Sequence, residues 1–600
     1  MNRAAARVLA WPIEWRLALV SGLVAIVWAI LVLEPLGPTT IDPDASATVL
    51  YFQRIVAGQH LEAFVPTTPK PLLTMLYGLT WTVGHDWRWL TWETIVLFGA
   101  AVAAAAALVA RLVGRVVESA RIVEPARVVE TGPVAESGRF AAEAEAPGPV
   151  RVGAWPAVAG AAFVVAGLLG SSDLLLEVSR ANSLVWALAF WLLAGLAITA
   201  RPARPRLAGC ALFLAGLCRF ETFALDAVAV VALVASAWWR GRRLDRGRHL
   251  GPDRRPDRHR DSRSPRVGEI VGVLLALAAL PVAMLHDWLL TGDPLWFLSV
   301  PADYTAIYDA GLRPIDPVRF AGTFAAHEAG LLPLVVVAIV GLAALTRARE
   351  RLMAAGIGAL AVGVMGLLFL LAARATYISN RYYEPIDLAV LPAAAIGAGV
   401  IAAIAGVALP RLGTDAQRRR AGTRSTTLGV VLAAFAVVVA LALTWAPLPL
   451  DRRATAELDN VRQASVNLAR VIPDARAPLL DGAVRQGDVP AQAGAPAADL
   501  RTVALLAPSR DVSRIAVELN TRMTLVGDLY AFLLRWGIGG LRSGQYVLHD
   551  AAADRPVALF APFELDGSEE TTNVGAVTLT RRFSLGAPGQ GSGIWLDQVR

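Results

Sequence analysis

The run Leu17-Ala18-Leu19-Val20-Ser21-Gly22-Leu23-Val24-Ala25-Ile26-Val27-Trp28-Ala29-Ile30-Leu31-Val32-Leu33 is apolar except for Ser21 and Gly22. A helix must carry about 20 such residues to cross roughly 30 Å of hydrocarbon. This stretch, with the residues before it, is long enough. No small-residue cleavage site follows it, so it reads as a retained helix and not a removed signal peptide. Similar runs recur about eleven times along the 600 residues, of which 56% are hydrophobic and 18% charged. The spans expected are 15–33, 93–111, 154–170, 183–200, 207–218, 222–239, 267–286, 329–346, 353–372, 388–409 and 428–446.

Arginines orient these spans, because short cytoplasmic loops are enriched in basic residues. Placing the N-terminus in the cytoplasm brings Arg201 to Arg206, Arg347 to Arg351 and Arg418-Arg419-Arg420 to one side. The stretch from Arg240 to Arg266 joins them, with eleven Arg against four Asp. The net charge of +7 therefore belongs to membrane topology and gives no sign of a nucleic-acid partner. Residues 112–152 and 240–266 read as variable or solvated cytoplasmic loops. The segments 34–92, 171–182, the turn at Arg219, 287–328 and 374–385 fall outside, as does everything after about 447.

From 447 onward the pattern changes. An amphipathic helix is expected over 452–471 and an Ala/Gly/Pro/Gln linker over 484–500. Short β-like runs follow at Thr502–Leu506, Tyr546–His549, Val557–Phe560 and Val577–Thr580. Cys210 and Cys218 lie eight residues apart, roughly 12 Å along a helix, too far to form a disulfide. The seven histidines show no ligand spacing, and there is no Walker loop, GxGxxG fingerprint or GxSxG elbow.

Lys70 is the chain's single lysine; the other 55 basic residues are arginine. A compact ammonium retained against that bias marks a position where a planar guanidinium would not serve, although chance would also leave one lysine. It lies in Thr68-Pro69-Lys70-Pro71-Leu72, opening a hydrophobic helix over about 72–83. Ahead of it, Asp42-Pro43-Asp44 places two carboxylates just after the first span. Such a pair can serve as a general base or hold a divalent cation, and a lysine can neutralise a phosphate. Asp44 would also make an ordinary helix N-cap.

Two further clusters fall on the same side. Arg219-Phe220-Glu221 sits between apolar runs, and Arg219 and Glu221, two apart, do not face each other on a helix, so a turn is expected. Arg381-Tyr382-Tyr383-Glu384-Pro385 enters a late span, with Arg381 suited to a phosphate and Tyr382 and Tyr383 to a sugar face or the membrane interface. Asp303-Tyr304, His286-Asp287 and His85-Asp86 are weaker candidates.

Taken together these clusters resemble the GT-C superfamily of membrane glycosyltransferases, which includes protein O-mannosyltransferases and the aminoarabinose transferase of lipid A. That pattern has an acidic residue after the first span, a helix ending in Gly, and a Lys-Pro-Pro or similar element. Asp44, Gly58 and Lys70-Pro71-Leu72 are similar to it, with Leu72 in place of a second proline. Arg219-Phe220-Glu221 and Arg381-Tyr382-Tyr383-Glu384-Pro385 resemble later elements of the family. The resemblance covers roughly residues 15–410.

It implies a mostly α, polytopic fold over 1–446, to which the residues themselves add a small α+β extracytoplasmic domain over 447–600. It implies a bacterial inner-membrane enzyme that takes a sugar from a polyprenyl-phosphate donor. The acceptor would be a glycan, lipid or protein. Asp44 or Asp42 would act as base; Lys70, Arg381 and Arg219 would hold the phosphate. Glu221, Tyr382, Tyr383, Asp303 and Tyr304 would line the substrate site. A divalent cation between Asp42 and Asp44 is a further option. A lipid transporter or flippase, and a non-catalytic scaffold, are the alternatives from other classes.

Overall fold

The computed structural model describes residues 11–33, 41, 43–61, 65, 67–127, 154–220, 222–223, 225–231, 264–300, 317–348, 350–373 and 384–411. Towards the C-terminus it describes 505–507, 516–517, 526–528, 541, 543, 545–550, 571–574, 577–584 and 594–600. Helices α1 (Ile13–Leu33), α2 (Pro43–Val56), α3 (Pro71–Gly84) and α4 (Arg88–Arg127) come first. Next are α5 (Trp155–Gly170), α6 (Ser172–Ser179), α7 (Ser183–Ile198) and α8 (Pro205–Gly216). Then follow α9 (Ser264–Leu277), α10 (Ala279–Thr291), α11 (Pro317–Arg347), α12 (Arg351–Ala373) and α13 (Glu384–Arg411).

Helix α1 shows how a membrane reverses the usual siding of a helix. Its buried residues are Ala18, Gly22, Ala25, Ala29 and Leu33, mostly small ones three or four apart. Its large residues Leu19, Val20, Leu23, Val24, Val27 and Leu31 face outward. Lipid solvates large apolar side chains as well as a protein core does, so the small ones are left to make close helix contacts. Gly22 meets α4 at Gly99, where an added Cβ would lie 3.0 Å from the Gly99 carbonyl oxygen. One very tight crossing joins α11 and α13. There a Cβ on Gly341 would sit 2.0 Å from the Ala393 oxygen, and one on Gly397 2.1 Å from the Val337 oxygen.

Helices stand at each expected span that falls among the described residues. The 222–239 run is helical at 222–223 and 225–231, its remainder lying outside them, as does 428–446. Among the described residues, four helices are long and apolar enough to cross a membrane by themselves: Ile13–Leu33, Arg88–Ser119, Val267–Thr291 and Pro385–Ile404. A fifth arises if α6 and α7 count as one span bent by 111°. Trp155–Gly170, Pro205–Gly216, Leu332–Arg347 and Arg351–Gly366 are apolar but shorter. The chain is thus a multi-pass α-helical membrane protein. The segment 171–182 contains helix α6, and one local expectation is corrected: Cys218 does not share a helix with Cys210 but lies in a turn beyond the end of α8.

The C-terminal strands are β1 (Leu505–Ala507), β2 (Val526–Asp528), β3 (Tyr546–Asp550), β4 (Thr571–Val574), β5 (Val577–Ser584) and β6 (Ile594–Val599). They form one sheet in the order β2-β1-β3-β6-β5-β4. β1 is parallel to β2 and β3, whereas β3, β6, β5 and β4 pair antiparallel. Three of the four expected β runs overlap β1, β3 and β5, the first of them only at 505–506 because 502–504 lie outside the described residues. Val557–Phe560, the 452–471 helix and the 484–500 linker lie outside the described residues.

Candidate active site

The segment that follows α1 is organised by two backbone devices. Helix α2 ends in a Schellman motif: Gly58 takes φ +63°, its N–H donates to Ile55 O (3.1 Å), and Gln59 N–H donates to Arg54 O (2.9 Å). Helix α3 starts with Pro71 in its first turn, a position where the missing N–H costs nothing. The proline keeps Lys70 out of helical conformation, at φ −134° and ψ 84°, as the residue just before the helix.

These two ends bring the key side chains together. Lys70 Nζ donates to Asp44 Oδ2 at 2.6 Å, and the two side chains are only 10% and 14% exposed. Asp44 is therefore not the N-cap considered above: α2 begins at Pro43, Asp44 lies in its first turn, and its carboxylate reaches across to Lys70. A carboxylate in a first helical turn also complements the positive end of the helix dipole.

Leu72 N–H donates to Leu217 O (3.2 Å), which ties the start of α3 to the turn at Leu217–Phe220. Arg219 lies in that turn, 9% exposed, as its separation from Glu221 required. Phe220 stacks on Phe297 at 4.9 Å between ring centroids. Phe297 N–H in turn donates to Asp287 Oδ2 (2.7 Å), and Asp287 Oδ1 faces His286 Nδ1 at 3.2 Å. His286 Nε2 reaches Thr74 Oγ1 at 3.1 Å, back on α3. The chain of contacts closes on itself, so α3, the Arg219 turn, residues 296–300 and α10 hold one another in place.

Tyr51 stands at the centre. Its hydroxyl donates to Thr67 O (2.9 Å) and meets Thr67 Oγ1 (2.8 Å), and its ring packs edge-on against His286 and Trp296. Burial pushes its phenol well above the usual value; the Thr67 hydrogen bond opposes this, while the carboxylates of Asp44 and Asp287 add to it. Tyr51 is a neutral, fixed wall of the site. Arg54, fully buried on the same helix, donates to Gln59 Oε1 at 3.1 Å.

Of the expected site residues, the structure unites Asp44 and Lys70 and brings Arg219 to the neighbouring turn. Asp42, Glu221, Asp303, Tyr304, Arg381, Tyr382 and Tyr383 lie outside the described residues. Tyr51, Arg54, Thr67 and Thr74 were missed. The one signal for Tyr51, Arg54 and Thr74 was a polar residue on an amphipathic or apolar helix, which sequence alone does not distinguish from a solvated face; Thr67, between α2 and α3, carried none. His286 and Asp287, weak as a sequence pair, join the network through long-range contacts. A divalent cation does not fit at Asp44 Oδ2, because the Lys70 ammonium already lies at bonding distance there. Among the described residues no group of three or more His, Cys, Asp or Glu side chains is placed to hold a metal.

No protein-family model matches this chain, and no curated protein matches it. Among solved structures it is similar to ArnT from Cupriavidus metallidurans in the apo state, at 12% identity and a TM-score of 0.42, over 96% of this chain and 97% of that one.

Proposed function

We propose that this chain is a membrane glycosyltransferase that moves a sugar from a polyprenyl-phosphate donor to an acceptor hydroxyl. The reaction takes place on the side of the membrane opposite the arginine-rich loops. The observation that carries this reading is the buried Asp44–Lys70 pair, held on rigid helix ends next to Arg219. A carboxylate has about four acceptor positions and an ammonium three donors, so the pair keeps capacity for a substrate. Asp44 takes the proton from the acceptor hydroxyl as the new O–C bond forms at the anomeric carbon. The bond from that carbon to the phosphate oxygen breaks, and its electron pair leaves with the lipid phosphate. Lys70 and Arg219 stabilise that growing charge, the kind of electrostatic assistance that outweighs other contributions in many enzymes.

Arg381 would add a second phosphate contact. Asp42 would share the basic role, and Glu221, Tyr382, Tyr383, Asp303 and Tyr304 would contact the sugars. The N-terminus would be cytoplasmic. The sheet within 447–600 would form a domain outside the cytoplasm and meet the acceptor, whether glycan, lipid or protein.

The 111° break between α6 and α7 is a device that transporters use to expose backbone carbonyls. Here the Ala181 carbonyl accepts the Tyr77 hydroxyl at 3.0 Å, which favours a static structural role for the break. The test is transfer in vitro from radiolabelled polyprenyl-phosphate sugars to a membrane extract, with wild type beside Asp44→Asn. Label on a new product only with the wild type supports the reading; saturable lipid binding without turnover of any donor overturns it.

A further inference from the structure

The helices next to the arginine-rich loops hold a second feature. A cavity of about 480 Å³ lies between α4, α7, α8, α9, α12 and α13 and reaches Pro205, Glu269 and Leu352 at their arginine-loop ends, a volume within the roughly 300–1,000 Å³ typical of ligand sites. Its walls are aliphatic and aromatic, with Leu112, Trp191, Pro205, Leu352 and Gly356 among them, and Glu269 is the single charged residue lining it. Water does not fill an apolar space of this kind. A protein that left it empty would lose the packing energy of a large void. Hydrocarbon from the surrounding bilayer is the filling such walls select.

The rim is cationic. Arg204 and Arg206 flank the lining residue Pro205, and Arg351 precedes Leu352; all three arginines are exposed, as are Arg201 and Arg347. These segments are fastened to one another. Arg115 Nη1 pairs with Glu350 Oε1 at 2.5 Å while its Nη2 donates to Thr199 O, which joins the start of α12 to the end of α7. Arg111 donates to Leu196 O (2.9 Å), and Arg204 N–H to Ala197 O (2.9 Å). Arg115 thereby compensates the Glu350 carboxylate and leaves the exposed arginines as the charge of the rim. Guanidinium groups match phosphate oxygens in a two-pronged geometry.

We propose that this cavity is a binding site for one anionic phospholipid of the arginine-side leaflet, its acyl chain between α4 and α12 and its phosphate on Arg204, Arg206 and Arg351. Glu269 lies where the hydroxyls of a glycerol headgroup can donate to it. Its occupant would couple the helices around the cavity to the charge of the membrane.

The experiment is native mass spectrometry of the delipidated full chain in detergent, titrated with dioleoyl phosphatidylglycerol or dioleoyl phosphatidylcholine. One phosphatidylglycerol should be retained at least tenfold more tightly than phosphatidylcholine, and 10-fold excess inorganic phosphate should not displace it. The double variant Arg204→Gln/Arg351→Gln, altered only at exposed positions, should lose that preference and keep its thermal midpoint. Gly356→Phe should lose retention of both lipids, because a Cβ at Gly356 meets nothing within 4 Å and the ring is free to enter the cavity. Equal retention of the two lipids by the wild type, displacement by phosphate, or an unchanged preference in the double arginine variant would overturn the proposal.

Discussion

Lys70 Nζ lies 2.6 Å from Asp44 Oδ2, so the chain's single lysine is spent on the acidic residue that follows the first membrane span. Asp44 lies in the opening turn of α2 and Lys70 immediately precedes α3, and both are largely withdrawn from water. Removing one partner of such a pair leaves the other charged and uncompensated. Lys70→Met should therefore destabilise the protein by on the order of 3 kcal/mol, and Asp44→Asn/Lys70→Met should regain much of it. Thermal unfolding in detergent reads this directly, and neither single nor double variant should transfer sugar. Lys70→Arg separates the two roles: it keeps a cation and most of the stability, yet should lower transfer by more than tenfold, because a planar fork cannot take the place of a compact ammonium.

Tyr51 ties stability to alkaline pH. Its phenol is pushed up in the folded protein, so above the unfolded value of about 10 the folded state holds a proton that the unfolded state has released. A raised value stabilises below that point and the contribution is lost as pH rises beyond it, with a slope of about 1.4 kcal/mol per pH unit. Tyr51→Phe should flatten the loss of thermal stability between pH 10 and 11. At neutral pH the same variant should be less stable by about 1 kcal/mol through the lost bonds to Thr67. A profile identical to wild type would contradict this account of the phenol.

The α11–α13 crossing depends on glycine. With an added Cβ only 2.0 Å from a backbone oxygen, Gly341→Val must push two helices apart and should abolish accumulation of folded protein, read by size-exclusion chromatography. Gly358→Ala, at a position with nothing within 4 Å, should be tolerated and gain slightly from helix propensity.

Asp226 is 2% exposed, and neither of its carboxylate oxygens has a hydrogen-bond partner among the described residues. A buried, unpartnered carboxylate is costly, so Asp226→Asn should leave stability to thermal unfolding unchanged or raise it by up to about 3 kcal/mol. A clear loss of stability would show that the carboxylate is in use.

The apolar runs were enough to locate the spans, because crossing hydrocarbon is a local requirement: a segment of sufficient length must satisfy its own backbone hydrogen bonds. Gly58 and Pro71 were legible for the same reason, since each acts through the backbone of its own turn. Sequence order also singled out Asp44, Lys70 and Arg219 by residue type. That Asp44 meets Lys70 instead of capping its helix, and that His286 and Asp287 connect α10 to Thr74 and Phe297, was decided only by tertiary packing. The distances between those groups are fixed by how several helices cross, a non-local property that no single stretch of chain encodes. The siding of α1, with small residues inward and large ones towards lipid, is the bridge between the two levels: its composition marks a span, and its partner α4 determines which face is buried.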